Sequence, residues 1–294
     1  MMTGFRGGFK KEARDFKNKK GTEAFQGGPS SKPMKLEATT KEECEETVNE
    51  EEDLTEDEFI RKWVQEGTHL ASGSHGAVIL HADGKRILKV PKAMSDPERY
   101  SENRASAHIM YMKHEVEMYK FIEGLPGVLP VLNSEKRTKC IEMPYMRQGT
   151  IAAYLKRVGK ATKKQVSQWI VAIGETLIRL HEKGVAFNDL HTGNILLDDD
   201  LVPYICDLGL AEFLGSEESP GDVERTEVAD LVEITYKLVT GAHERMEIYE
   251  DESLESIFLG PVLLEAIDGY HATMESFIAA VKVWLEENPD AQNA

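Results

Sequence analysis

Val, Ile and Leu are nearly absent before residue 55, and from there the apolar positions fall into period. Thr55 followed by Glu58 is a capping-box pattern, and Phe59, Trp63 and Val64 supply the apolar stripe of a helix that Gly67 ends. From Leu70 the period shortens to that of a strand. Ala77–His81 and Arg86–Val90 are β-rich runs, and the Asp83-Gly84 pair between them signals a hairpin. The pattern then predicts a helix over about Ala105–Glu123 and short strands near Val128–Leu132 and Lys139–Met143. Beyond these the chain reads mainly as helix. Thr162 and Gln165 form a second capping box, and Val166, Trp169, Ile170, Ile173, Leu177 and Leu180 follow at offsets of three and four, which makes one buried face. Strands first and helices after predict an α+β fold of two lobes.

Charge divides the chain more sharply than hydropathy does. Residues 1–35 hold nine Lys/Arg against three acids, and residues 36–60 hold twelve acids against one Lys. Such composition cannot repay the entropy of ordering a chain, so residues 1–54 are expected to be a disordered tail, basic and then acidic. The plain reading of the tail is a solvated segment; its other reading is a docking segment for a partner. The whole chain has 294 residues, 41% of them hydrophobic, and a net charge of −17. That balance supports a packed core over residues 55–294 and argues against nucleic acid as a partner of the folded part. No apolar run approaches the ~20 residues of a membrane-spanning helix. Neither a secretory apolar segment nor a Gly at position 2 stands at the start, and Cys44, Cys140 and Cys206 are scattered. Together these lead us to expect an intracellular protein, cytoplasmic or nuclear.

Five places carry candidate chemistry. Leu70 to Val78 is a small-residue loop entering a strand, and Gly73 and Gly76 would let backbone amides approach phosphate oxygens; the same glycines also suit an ordinary turn. Lys89 sits inside the strand Arg86–Val90 and Glu115 inside the following helix, where each reads equally as surface decoration. Asp189 and Asn194 stand five apart before the apolar Ile195-Leu196-Leu197, and Asp207 ends the strand Val202–Cys206 ahead of Leu208-Gly209. Any of these alone suits a polar turn. Together, Asn194 and Asp207 are hard oxygen ligands of the kind Mg²⁺ prefers, and Asp189 is free to orient a hydroxyl. A phosphate cradle, a cation, metal ligands and a carboxylate at the nucleophile are the parts of phosphoryl transfer.

In this order and at these spacings the motifs resemble a protein kinase catalytic domain over roughly residues 58–294. The resemblance implies a small β-rich N-lobe over about 55–143 and a mainly helical, trimmed C-lobe over about 144–294. It implies ATP and Mg²⁺ as cofactors and a protein as substrate. Ala71, Gly73 and Gly76 would form the glycine-rich loop, with Ala71 replacing its first glycine, and Val78 would pack on adenine. Lys89 would meet the phosphates and pair with Glu115, for which Glu117 is the weaker alternative. Met143, Tyr145 and Met146 would supply gatekeeper and hinge, Asp189 the catalytic base, and Asn194 and Asp207 the Mg²⁺ ligands.

Departures from the family pattern shape the functional expectation. Phe187-Asn188 replaces the His-Arg before the catalytic Asp, so an Arg to receive an activation-loop phosphate is missing. His191 replaces a Lys, which removes a fixed positive charge at the transferring phosphate. About 20 residues separate Asp207 from Glu227, a short activation segment, and either Glu227 or Asp230 is available to brace the catalytic loop. The glycine loop, the Asp207-Leu208-Gly209 motif and the Thr240-Gly241 helix end point to a Ser/Thr-directed protein kinase, and Asn188 to activity without loop phosphorylation. Two alternatives stay open: a small-molecule kinase resembling choline or aminoglycoside phosphotransferases, whose catalytic loop Asn188–Asn194 also resembles, and a nucleotide-binding pseudokinase.

Overall fold

The capping box at Thr55 forms. The Glu58 N–H donates to Thr55 Oγ1, and Glu58 Oε2 accepts from the Thr55 N–H at 3.0 Å. It opens α1 (Glu56–Glu66). The computed structural model describes residues 54–132, 136–214, 220–241, 248 and 253–292. The expected tail, apart from Leu54, lies outside the described residues.

Helix α1 leads into an antiparallel sheet of four strands in sequence order: β1 (Thr68–Ser72), β2 (Gly76–Leu80), β3 (Arg86–Pro91) and β4 (Ile141–Pro144). Side chains alternate across a strand, so Ala77 and Ile79 of β2 share a face with Leu88 and Val90 of β3. That face packs on Phe59, Ile60 and Trp63 of α1, together with Cys140. Val78, Ile87 and Lys89 alternate with these residues and stand on the opposite face. The helix that caps the sheet thereby decides which side Lys89 occupies. Glu56 fixes the helix in register, because its Oε1 accepts the N–H of both Thr138 and Lys139 at 2.7 Å.

Two sequence expectations shift at this point. Val128–Leu132 is not a strand: Val128 bridges Ile205 and Leu132 bridges Glu142 as isolated pairs. Pro130 has no N–H to donate, which breaks a ladder there. Strand β4 starts two residues later than the predicted Lys139, whose N–H is given to Glu56 and not to the sheet. Helix α2 (Glu102–Phe121) begins three residues before the predicted start. It buries His108, Met112, Glu115, Val116 and Tyr119, one face at helical spacing.

The second lobe is mainly helical. Helices α3 (Ile151–Val158), α4 (Lys163–Glu182), α5 (Pro220–Thr240), α6 (Gly260–Ile267) and α7 (Met274–Glu287) surround a core in which all six predicted apolar positions of α4 are buried. Short strands lie on it in two pairs, β5 (Val185–Ala186) with β8 (Glu212–Phe213), and β6 (Ile195–Leu197) with β7 (Pro203–Ile205). Gly241 closes α5 in the left-handed conformation, φ 81°, and its N–H returns to the Lys237 carbonyl at 2.9 Å. No helix among the described residues is long and apolar enough to cross a membrane.

Helix α5 also decides which acid braces the loop after β5. Glu227 is buried, and its Oε1 accepts the N–H of Phe187 at 2.6 Å and of Asn188 at 3.1 Å. Its other oxygen meets Nε2 of the buried His181 from α4. Asn188 holds φ 64°, a left-handed conformation that Asn tolerates better than most residues. Burial opposes the charged form of His181. The bond and charge of Glu227 outweigh it, with help from Glu224 and Glu275, and lift the pKa above the ordinary 6.5.

Two measurements follow from this packing. Phe59→Ala removes a fully buried ring from the sheet-capping helix and is expected to cost about 3–5 kcal/mol in urea unfolding; a cost near zero would show that α1 is not part of the folding unit. The folded state holds the His181 proton more tightly than the unfolded chain does, so the pair's contribution is complete below pH 6.5 and is lost as pH rises through the raised folded value. The gap in melting temperature between the wild type and His181→Gln is expected to narrow from about pH 6 to about pH 9. A gap that does not change with pH would mean that the pair is not charged.

Candidate functional site

A cavity of about 670 Å³ opens between the inner face of the sheet and the β5–β7 loops. Every site residue expected from the sequence lines it: Ala71, Gly76, Val78, Lys89 and Met143 from the sheet, Gly73 from the β1–β2 turn, Glu115 from α2, Tyr145 and Met146 from the connection between lobes, and Asp189, Asn194 and Asp207 from the loops below.

The electrostatic centre is Lys89. Its Nζ lies 2.7 Å from Glu115 Oε1 and 2.9 Å from Asp207 Oδ1. Glu115 is therefore the acid on α2 that reaches Lys89, while Glu117, two residues on, is exposed. Burial alone would discharge the ammonium. The carboxylates of Glu115 and Asp207 more than offset that penalty and hold its pKa above the ordinary lysine value. Gly76 keeps the path of this side chain open, because a Cβ there would come 3.1 Å from Lys89 Cε and 3.3 Å from Met112 Cε.

The loop ahead of Gly76 is tighter than a free phosphate cradle. The Gly73 N–H is spent on the Gly76 carbonyl at 2.8 Å, and Ala71 belongs to β1. Lys92 straps the loop, its N–H donating to His75 O and its Nζ to Gly73 O, both at 2.8 Å. The His75 ring stacks on Tyr111 of α2 with centroids 3.7 Å apart. Along the connection between lobes, the Tyr145 N–H donates to the Lys85 carbonyl at 2.7 Å, so Tyr145 does not offer that donor to the cavity.

Below, Asn194 Nδ2 donates to Asp189 Oδ2 at 3.0 Å and to its carbonyl at 3.1 Å. These bonds use the amide nitrogen and leave the amide oxygen as the acceptor. Asp207 takes a left-handed backbone conformation, φ 66°, and its N–H donates to the buried Tyr119 hydroxyl at 3.2 Å. Among the described residues no group of three or more His, Cys, Asp or Glu is arranged to hold a metal. Asn194 and Asp207 nevertheless fit a hard cation that takes one or two protein oxygens and completes its shell with phosphate and water, as Mg²⁺ does. His191 Nδ1 accepts the Gly193 N–H at 3.0 Å, and Nε2 lies 3.7 Å from Asp189 Oδ2, so its ring is turned toward the loop's own groups.

Some lining residues were not singled out in the sequence. Leu196 lies between the fully buried Ile195 and Leu197 and faces the cavity. Period-two alternation after Asn194 was the available signal. Cys206 also lines the cavity; burial and the adjacent Asp207 charge push its thiol up to about 12, which leaves it an inert wall at neutral pH. Leu70 reaches the cavity from an irregularity in the β1–β2 register between His69 and Ala71. No alternation pattern marks a bulge residue.

Comparison with known proteins agrees with this geometry. Over 140 residues the chain is 30% identical to "Mitogen-activated protein kinase kinase kinase dlk-1" of Caenorhabditis elegans, covering 48% of this chain and 14% of that protein. It is 30% identical over 149 residues to human "Receptor-interacting serine/threonine-protein kinase 1", covering 50% and 22%. It is 27% identical over 180 residues to "Serine/threonine/tyrosine-protein kinase HT1" of Arabidopsis thaliana, covering 60% and 45%. The chain thus spans less than half the length of each of these relatives. The family described as "Protein kinase domain" matches residues 63–230, more than half of the chain, and the chain belongs to that family.

Proposed function

We propose that this chain is an ATP- and Mg²⁺-dependent protein kinase that phosphorylates Ser or Thr hydroxyls. The observation that carries the reading is the triad Lys89–Glu115–Asp207, joined at Lys89 Nζ, in the same cavity as Asp189 and Asn194. Adenine would sit among Val78, Leu196, Met143 and Met146, which line the cavity. Lys89 offers its charge to the phosphates. Asn194 and Asp207 would hold Mg²⁺, which would supply neutralising charge to the phosphate oxygens. The acceptor oxygen bonds to the γ-phosphorus as the bond from that phosphorus to the ADP oxygen breaks, and the hydroxyl proton passes to Asp189. The likeness to a relative named as a serine/threonine-protein kinase supports the choice of acceptor. Retention of Lys89, Asp189, Asn194 and Asp207 together in one cavity speaks against a pseudokinase.

The acceptor class is tested with labelled ATP, a generic basic protein, and a panel of small alcohols and amines. Label on protein Ser or Thr is expected. Label on a small molecule would replace this reading with the phosphotransferase alternative, and no label at all would leave the pseudokinase. Binding of Mg²⁺·ATP to the native state alone raises the melting temperature, and no shift at millimolar ATP would sink the nucleotide site. Asp189→Asn is expected to lower transfer at least about a hundredfold while the nucleotide shift persists, since an amide keeps the shape and cannot take the proton. Lys89→Met is expected to abolish transfer and weaken the shift. A variant Asp189→Asn with wild-type rate would remove the base assignment.

A further inference from the structure

We propose that His114 and Asn188 form a phosphate-free latch on the segment after Asp207, and that His114 thereby acts as a positioning residue for Glu115. The reading rests on phosphoryl transfer only in its kinetic arm. Two adjacent carbonyls of that segment are gripped from two sides. His114 Nε2 of α2 lies 2.8 Å from Ala211 O, and Asn188 Nδ2 of the catalytic loop lies 3.3 Å from Leu210 O. A carbonyl only accepts, so the imidazole proton in this bond sits on Nε2.

Further contacts hold the same segment. Glu115, the next residue on α2, accepts the Leu208 N–H. Ala211 is fully buried, and beyond it β8 pairs with β5. Phe121 at the end of α2 meets Phe213 edge to face, with centroids 4.9 Å apart. Helix α2 therefore grips the segment at Leu208, Ala211 and Phe213, and the turn that carries Glu115 cannot swing from Lys89 without releasing Ala211.

None of these bonds requires a phosphate. In kinases switched by a loop phosphate, an Arg beside the catalytic Asp forms a charge-assisted pair with it, and the amide of Asn188 cannot. The following sequence carries Glu212, Glu217, Glu218, Asp222 and Glu224, with Arg225 as the cation between Leu210 and Thr226. An added phosphate would meet mostly like charge. The carbonyl bonds take over the ordering role that a phosphate has elsewhere.

The test uses the full chain, expressed in bacteria, treated with phosphatase, and shown by mass spectrometry to lack phosphate between residues 207 and 227. Two quantities are read: amide hydrogen exchange over residues 208–214, and kcat and KM for ATP in transfer to myelin basic protein. The dephosphorylated chain is expected to keep its rate within about twofold. His114→Phe, which keeps a ring and removes the donor, is expected to speed exchange over 208–214 and lower kcat roughly tenfold, with KM for ATP little changed. His114→Gln restores an N–H donor and is expected to recover most of both. Asn188→Gly keeps the left-handed backbone and should speed exchange by a smaller factor. The latch is overturned if dephosphorylation itself removes activity and loosens the segment, if His114→Phe leaves exchange unchanged, or if the Gln variant behaves as the Phe variant. If the wild type transfers no phosphate, the kinase reading fails, while the exchange of His114→Phe against His114→Gln still decides the latch.

Discussion

One buried cation organises this molecule. Lys89 stands on the inner face of a sheet, away from bulk water, and a lone ammonium there would discharge or pull the strand apart. Two carboxylates prevent this, and each comes from a different element: Glu115 from α2 and Asp207 from the end of the β7 hairpin. The charge requirement of a single side chain thus fixes the positions of a strand, a helix and a loop relative to one another. Glu115 is buried with it, so removing that partner leaves an uncompensated charge, generally at a cost of about 3–5 kcal/mol. That arrangement also leaves a positive group in the cavity wall, where a phosphate would replace part of the carboxylate shell.

A second buried set works from below by the same logic with the charges reversed. Glu227 is an acid inside a helical core, and it is satisfied by two backbone N–H groups and by His181. Its cost of burial is offset only if Phe187 and Asn188 present those donors, which requires the left-handed turn at Asn188. Asp189 follows directly, so its direction is set by a residue 38 positions away that never touches the cavity. The small lobe shows the same division of labour. The capping helix α1 touches nothing in the site, yet by covering one face of β2 and β3 it forces Val78 and Lys89 onto the other.

These two anchors explain how a chain that departs from its family at several site positions still assembles the cavity. The Asn188 side chain, placed where an arginine is common, is used on the backbone of the neighbouring segment instead of on a phosphate. His191 turns its ring onto its own loop. Ala71 costs little, because the position lies in a strand and not in the tight turn, whose close approach occurs at Gly76.

Most of the local structure was legible in the sequence because it rests on near-neighbour chemistry. The capping boxes at Thr55 and Thr162, the Asp83-Gly84 turn and the buried face of α4 all formed where the pattern placed them. The order of five motifs likewise carried the family and the two-lobed α+β fold. What the pattern misjudged or left open depended on partners distant in the chain. Val128–Leu132 is apolar enough for a strand, but Pro130 and the lack of a continuous neighbour reduce it to bridges. Glu115, with Glu117 as the weaker alternative, is the expected partner of Lys89, and the packing of α2 on the sheet brings Glu115 to it. Glu227 and Asp230 are equally acidic and one helical turn apart, and only the position of the β5 loop separates them. Sequence by itself determined which residues are candidates for chemistry and most of the segments that become helix or strand, since both depend on side-chain type and short period. Tertiary structure alone decided which charges are paired, because desolvation and Coulomb attraction act across elements that the linear chain does not juxtapose.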